Sequence, residues 1–527
     1  MRVFRLLPIV LLLICNSYSF GQSNQNLPLF KDKDLMLEKY LNGSDYTTHT
    51  AIRPFINSTE LEDVTNSILI SMRRPSDTLR PSSYAAKSGS HGNLSLTGIF
   101  DTYVGYERAS SSKSVVQPGG GLMLEVTLKE KLAFSSTFLA GNSAFPSYID
   151  TSIAHSDIVP GMGSAYTSKS GYAYQYSAGY LSYSPNKIFN FQVGKDKNFF
   201  GDGYRSLFLS DVSNSYPFLK SSTTVWKLKY VSLFTCLKDV TAPSHLQKDR
   251  LNKYGTFHYL SWNASKRFNF AIFESIIWQG TDSNRVRNYD VNYLNPVIFF
   301  RPVEYSLGSS DNACLGASFK IKVGRRYRQQ LYGQVILDEF LLSEVKARNG
   351  WWANKQGAQF GFKNFDLFRV KNLTFQTEIN AVRPYTYSHG SVQQNYANYG
   401  QPLAHPLGAN FAESVTFLNY RHKKWMFGSE FLYAKYGKDI GAANYGGNIF
   451  ESYSTHPNEY GNHFFQGVET ELRYAKVRIG YYLIPSADLL AEAGVSLRQE
   501  TNSASSTSST FFFIGLRTGI FNRYNDF

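Results

Sequence analysis

The sequence predicts an all-β protein: a transmembrane, antiparallel, up-and-down β-barrel of about 18 strands, preceded by a short N-terminal periplasmic or plug segment. Three observations predict it. The 527 residues include 37 Tyr, 40 Phe and 40 Gly, yet the mean hydropathy is below zero. Beyond the first 21 residues no apolar run reaches the roughly 20 residues that a membrane helix needs. Segments alternating between apolar and polar side chains are separated by turns that are short and loops that are long in succession. Alternating lipid-facing and lumen-facing residues cancel in any average, so a barrel reads as aromatic and polar at once.

Along the chain, "MRVFRLLPIVLLLICNSYSFG" has a basic start at Arg2 and Arg5, an apolar centre and small residues at Ser19 and Gly21. This is the pattern of a secretory signal peptide over 1–21. Ile14 before Cys15 argues against a lipidated cysteine, which needs a small residue in front of it. Residues 22–90 carry a short helical stretch, "KDKDLMLEKYL", and then Pro54, Pro75 and Pro81. They are expected in the periplasm or folded into the lumen. The barrel is expected over 91–527.

In "GLMLEVTLKEKLAFSSTFLAGN", Leu122, Leu124, Val126 and Leu128 share one face and Glu125, Thr127 and Lys129 the other. Leu132, Phe134 and Phe138 resume the apolar face after a tight turn, as in a hairpin. Further tight turns are expected at Pro185–Lys187, Ser265–Arg267, Gly324–Arg326, Arg421–Lys424 and Pro485–Asp488. Strands are placed at 94–106, 122–128, 132–140, 173–183, 188–196, 205–212, 225–237, 257–264 and 268–278. The others fall at 315–323, 327–338, 358–364, 373–382, 413–420, 425–436, 466–484, 489–499 and 510–527. The crossing at 205–212 and the long strand at 466–484 follow from the requirement for an up-and-down path. Phe511, Phe513, Gly515 and Phe521 share a face of the final strand, which ends in the aromatic Phe527.

A net charge of +14 falls to +12 once the two arginines of the leader are removed. Cys236 and Cys314 are too few for a disulfide framework and leave one bridge or two free thiols open. HExxH, paired CxxC and G-x-S-x-G are absent, and no metal or cofactor is expected. "GDGYRS" lacks the last glycine of a dinucleotide fingerprint. His389 and Ser391 have an H-x-S spacing but follow Pro384 in a loop, where strand alternation cannot align them, so the chain is expected not to be an enzyme. Nucleic acid is not an expected partner.

The outer loops carry the candidate sites. "FQVGKDKNFFGDGYRSLFLSD" breaks from alternation into charges and glycines at the outer mouth. The loop "NYLNPVIFFRPVEYSLGSSDNA" contains Pro296 and Pro302 around an apolar anchor at Val297–Phe300, which should pack inside the barrel. Lys195, Lys197, Asp202 and Arg205 are then expected to join Arg301, Glu304 and Asp311 in one buried polar network, because unpaired charges in a dry lumen are costly. Such a network either binds and gates or simply fixes the loops. Trp351, Trp352, Tyr385, Tyr387, His389, Tyr396 and Tyr399 are candidate glycan contacts, since flat rings beside amides suit sugar faces and hydroxyls. Trp351 and Trp352 are equally suited to an interfacial aromatic girdle.

"VGKDKNFFGDGYRSLFLSD", "NYLNPVIFFRPVEYSLGSSDNA" and "EINAVRPYTYSHGSVQQNYANYGQPLAHPLGANF" resemble blocks of RemB-type gliding-motility proteins of the capsule-assembly Wzi family. The resemblance implies an 18-stranded barrel in the outer membrane of a Gram-negative bacterium, associated with capsule or exopolysaccharide attachment or with surface adhesion in gliding cells. The expected partners are outer-membrane lipid and lipopolysaccharide, surface polysaccharide, and envelope proteins of motility or secretion. The basic balance suggests acidic glycan. An anion-selective porin is the alternative.

Overall fold

The computed structural model describes residues 24–43, 48–72, 85–89, 92–129, 131–239, 251–282, 285–296, 311–324, 328–339 and 341–527. The signal-peptide expectation, the anchor at Val297–Phe300, and Arg301 and Glu304 lie outside them.

Eighteen wall strands close into an antiparallel barrel. They are β1 Gly92–Arg108, β2 in two pieces (Lys113–Gln117 and Gly119–Leu128), β3 Leu132–Ser143, β4 Gly171–Tyr183, β5 Phe189–Asp196 and β6 Tyr216–Val225. Then come β7 Leu228–Lys238, β8 Asn252–Trp262, β9 Phe268–Gln279, β10 Asn312–Val323, β11 Gln329–Leu337 and β12 Gln356–Phe365. The last are β13 Leu373–Val382, β14 Phe411–His422, β15 Trp425–Lys438, β16 Val468–Ile484, β17 Leu489–Asn502 and β18 Ser506–Thr518. Each pairs with its neighbour in sequence, and β18 closes on β1 with Gly515 opposite Tyr103. Closure leaves no unpaired edge in lipid, the condition for a sheet to span a membrane.

Two expectations are corrected. Residues 205–212 are not a crossing; the strand that restores the up-and-down path is β6, and 197–215 folds into the lumen. The final strand stops at Thr518, and residues 519–527 turn back inside, so Phe527 does not end the wall. The long strand at 466–484 stands, as β16. Cys236 and Cys314 are both free thiols.

Side-chain alternation puts the apolar face outward. Leu122 is 56% exposed and Phe138 51%, whereas Glu125 on the opposite face of β2 accepts hydrogen bonds inside from Gln25 and from Ser95 (3.3 Å). Phe191, Val193, Leu219, Phe360, Phe431, Val477 and Ile514 continue this outer apolar belt. In the last strand the face shared by Phe511 and Phe513 points inward, and Phe512 and Ile514 meet lipid. Trp226, Trp262 and Trp425, all outward-facing at the short turns, form an aromatic girdle at the membrane boundary. Trp425 packs edge-on against Tyr481 at 5.0 Å. Short turns mark the periplasmic side and long loops the outer side.

The wall is uneven in height. β16 has 17 residues, a path of about 56 Å, well above the apolar band of about 25 Å even when tilted. Its outer end carries exposed ion pairs, Lys435 with Glu469 (2.9 Å) and Arg473 with Glu471 (3.0 Å), so β15–β18 rise beyond the lipid on the outer side.

The lumen is filled from both ends. At the periplasmic end, α1 (Lys31–Leu41) and α2 (Thr59–Met72) pack Leu37, Leu41, Leu61, Val64 and Ile68 against Met426, Tyr482 and Leu490 of the wall. Lys33 pairs with Asp488 (2.7 Å), Lys39 with Asp366 (2.7 Å), and Asp32 with Arg478 (2.7 Å), so α1 is pinned to the β12–β13 turn and to the β16–β17 hairpin. From the outer side, 197–215 and 383–410 meet Ala51 and Ile52 in one dry core with wall residues Leu233, Phe257, Phe273 and Val382. α3 (Ser147–Ser156) caps a second cluster over Leu139, Tyr174 and Tyr176, which also takes in Phe521.

One carboxyl in this plug titrates near neutrality. Burial pushes Asp34 up to about 7, with Arg53 (3.5 Å) partly opposing the shift. The folded state therefore keeps a proton that the unfolded chain releases near 4, and plug docking weakens as pH rises from about 4 through 7. Protease cleavage within 24–72 should accelerate between pH about 5 and about 7. Asp34→Asn should flatten that rise; an unchanged slope would mean that another group sets it.

Candidate functional site

The charged break between β5 and β6 is the central tie of the lumen. Every residue from Lys197 to Ser215 is buried. Phe199 and Phe200 pair as a short strand with Ile52 and Arg53 of the N-terminal segment. The next residues meet the wall: Glu378 accepts from the backbone N–H groups of Tyr204 (2.8 Å) and Arg205 (3.1 Å), and from the Tyr332 hydroxyl (2.8 Å). Gly203 is required here, because a Cβ would strike the Glu378 carboxylate and the Arg205 carbonyl.

Arg205 lies between Glu413 of β14 and Asp526 of the tail, its Nη2 at 2.9 Å from each carboxylate. His405 meets the same Glu413 at 2.8 Å. Burial alone would lower Arg205, but the two carboxylates hold it well above its ordinary range. Asp202 is likewise kept below the usual carboxylate range despite burial, by Lys320, Thr50, Lys363 and Arg53. Lys363 bridges Glu38 of α1 (2.5 Å) and the Asp202 carbonyl (2.6 Å). Lys197 donates to the Asp211 carbonyl (3.0 Å), and burial lowers it to about 8. Asp211 in turn accepts from Tyr524 (2.6 Å) and Asn522 (2.9 Å). N-terminal segment, inward fold, wall and tail thus share one network of satisfied charges.

The structure divides the expected constellation. Lys197, Asp202 and Arg205 belong to this network, whereas Lys195 is half-exposed on β5 and donates to Ser177 (3.0 Å). Asp311 belongs to a separate cluster, held by Arg287 (2.7 Å), Tyr293 (2.7 Å) and Gln394 (3.2 Å). The partners that complete the network, Glu378, Glu413 and Asp526, were not legible in the loops because two are wall residues and one is in the tail.

Most of the expected glycan contacts are corrected as well. Tyr385, Tyr387, His389, Tyr396 and Tyr399 are all buried. Tyr387 donates to the Leu207 carbonyl (2.7 Å) and Tyr396 to the Phe208 carbonyl (2.6 Å), so these tyrosines satisfy the backbone of the inward fold. Trp351 and Trp352 remain half-exposed on the outer loops, away from the periplasmic-side girdle. Trp352 stacks on His456 at 4.4 Å and Trp351 donates to Glu459 (2.7 Å). Ser391 donates to Gln279 (2.7 Å), and His389 Nδ1 accepts from the Ser391 backbone N–H (3.1 Å), so the two do not form a nucleophile–base pair.

An open cleft remains at the outer mouth, on the side where the wall is tallest. It measures about 700 Å³ and lies between α3, the tops of β15, β17 and β18, and the tail. Its floor is Phe527, whose carbonyl accepts from Arg498 (3.0 Å) and whose ring lies edge-on to Tyr148 at 6.2 Å. Tyr148 donates to the Asn525 carbonyl (2.6 Å), and Arg498 sits over its ring at 4.7 Å. A second hollow of about 280 Å³ shares Ser152, Leu407, Asn448 and Phe527 with the first and extends it toward Gln401 and Tyr524. Sequence reading missed this cleft, since its walls come from residues 109–152, 406–448 and 498–527.

Fold and site together define a transmembrane β-barrel of the outer-membrane type, with an occupied lumen and a cleft at the outer mouth. No family model and no curated protein sequence matches the chain. Among solved structures it is similar to Wzi of Escherichia coli, a carbohydrate-binding outer-membrane β-barrel involved in group 1 capsule assembly, at 12% identity and TM-score 0.47 over 78% of this chain and 83% of that one. It is also similar to the outer-membrane protein OpdK of Pseudomonas aeruginosa, at 8% identity and TM-score 0.45 over 80% of this chain and 97% of that one. A third is OccAB1 of Acinetobacter baumannii, at 9% identity and TM-score 0.44 over 80% and 96%. At such identities the likeness is one of fold.

Proposed function

We propose that the protein is a non-enzymatic outer-membrane anchor for surface polysaccharide, holding capsule or exopolysaccharide at its outer mouth. The observation that carries this reading is the contrast between a lumen packed by 24–43, 48–72, 197–215 and 519–527 and a cleft of about 700 Å³ left open to the outside. A pocket of that size, with rings and hydroxyls converging on it, suits a ligand. Packing argues against the anion-porin alternative, because the lumen's lysines are engaged by fixed partners: Lys253 by Asn395 (2.7 Å), Lys320 by Asp202 (3.5 Å) and Lys363 by Glu38 (2.5 Å).

In the cell this is retention of a glycan coat, and the RemB-type resemblance extends the reading to adhesion in gliding cells. Lipid meets the outer apolar belt. Envelope partners would approach from the periplasm, where α2 exposes Glu62, Asp63 and Asn66.

Point variants test this better than loop deletion, since removing 383–411 would remove part of the core. Tyr436→Ala at the cleft wall should lower cell-bound polysaccharide about tenfold at equal barrel abundance, a loss of one ring contact plus its area. Unchanged retention would sink the proposal.

A further inference from the structure

We infer that the mouth cleft takes an uncharged, hydroxyl-rich glycan segment and not an acidic one; this deepens, and rests on, the polysaccharide reading above. The chain as a whole is basic, at +14, but that charge is not presented here. The cleft's two cations are already paired: Arg498 with Glu500 (2.6 Å), and Lys438 with the other oxygen of Glu500. Asp439 adds a carboxylate to the lining, and Glu107 lies fully buried beneath it. The lining therefore carries two cations and two carboxylates, with Glu107 buried behind Ser147 and Ser509, and a uronate or phosphate entering would meet only cations already paired with Glu500. It would also have to shed its own hydration, a cost that goes uncompensated without a partner.

The remaining chemistry matches neutral sugar. Ser147 and Ser509 both donate their hydroxyl protons to Glu107 (2.7 and 2.6 Å), which leaves their oxygen lone pairs facing outward as acceptors. Sugar hydroxyls are the matching donors. Thr507 and Ser508 line the same space and are exposed, each able to give or take, and the exposed Thr151, whose hydroxyl donates to the Ser147 carbonyl (2.9 Å), offers an acceptor. Tyr148, Tyr436 and Phe527 supply ring faces and edges for the apolar faces of pyranose rings. Lys197, Lys220, Lys253, Lys320 and Lys363 are buried in the lumen below and are not presented to the cleft.

The test uses the full-length, detergent-folded protein with two probes, a neutral dextran oligosaccharide and an acidic oligogalacturonate, at about 0.05 and about 0.5 M salt. Dextran should bind with an affinity that changes less than about twofold between the two salts, because screening acts on charges alone. Tyr436→Ala should weaken it about tenfold, and Ser509→Ala, which removes an acceptor together with the hydrogen bond to Glu107, by a few fold. Heat-modifiable migration of each variant confirms a folded barrel. Acidic glycan bound alone and weakened by salt would overturn this inference and leave the polysaccharide reading standing. Neither probe bound, and no host glycan bound either, would overturn both. Dextran binding indifferent to both substitutions would overturn the cleft as its site.

Discussion

Replacing Arg205 with Met is expected to cost about 3–5 kcal/mol of stability, the largest effect of any single substitution in this molecule. The size follows from what is left behind. Glu413 and Asp526, each 2.9 Å from Arg205, would keep His405, Asn380 and the Tyr204 hydroxyl as partners but lose the guanidinium that both share in the lumen. Mutual attraction within the triad offsets the desolvation of its members; removing the cation keeps the desolvation and loses the attraction. Arg205→Lys retains a charge but not the fork that reaches both carboxylates, so an intermediate loss is expected. Urea unfolding of the detergent-folded barrel, followed by tryptophan fluorescence, measures this. A loss below about 1 kcal/mol would show that the triad is already solvated.

Ending the chain after Thr518 is the second large effect, and it falls on function more than on stability. The nine residues removed bury Phe521, Tyr524 and Asp526. Two aromatic side chains contribute about 2 kcal/mol each, and the hydrogen bonds to Asp211 and Arg205 contribute about 1 kcal/mol apiece. The conformational entropy of ordering the nine residues offsets much of this contribution, so a net loss of about 2 kcal/mol is expected. The cleft, by contrast, loses its Phe527 floor and the carbonyl that Arg498 holds, and glycan binding should fall below detection. In the truncated chain Arg205→Met should cost about 2 kcal/mol less than in the full chain, because Asp526 is gone and the two changes share a partner. Strict additivity would contradict the triad.

How much of this was readable in the sequence depends on whether a residue's surroundings are local. Alternation such as Leu122 to Leu128 against Glu125 and Thr127 reports a wall with lipid on one side and polar lumen on the other, and both faces are set within one strand. The misplaced crossing at 205–212 shows where that signal misleads. Leu207, Phe208 and Leu209 are all fully buried, so the segment is apolar because it is surrounded by protein, and the same run suits a strand. The true strand β6 opens with Tyr216 and Pro217 and carries Lys220 and Ser222 inward, a polar profile that reads as loop. N-terminal "KDKDLMLEKYL" was legible as a helix because its acidic first turn (Asp32, Asp34), Lys39 in the last turn and its apolar spacing are local.

The site was less legible for the same reason. Tyr387 and Tyr396 have the composition of a sugar platform, but their hydroxyls are claimed by carbonyls about 180 positions earlier in the chain. Conversely, Tyr148, Arg498 and Phe527 look unremarkable until closure of β18 on β1 sets the tail beside α3. Of the hinge charges, Lys197, Asp202 and Arg205 are buried among partners while Lys195 stays half-exposed, a division that strand alternation does not carry. Which carboxylates pair with them required the fold.

A sealed barrel whose work is done at its outer mouth is tested most directly by the ion current through the purified full-length protein in a planar lipid bilayer. With the lumen packed from Leu37 at one end to Leu403 at the other, the account predicts insertion without a steady conductance above the bare membrane. A steady, anion-selective current from the unmodified protein would contradict it and make the molecule a channel.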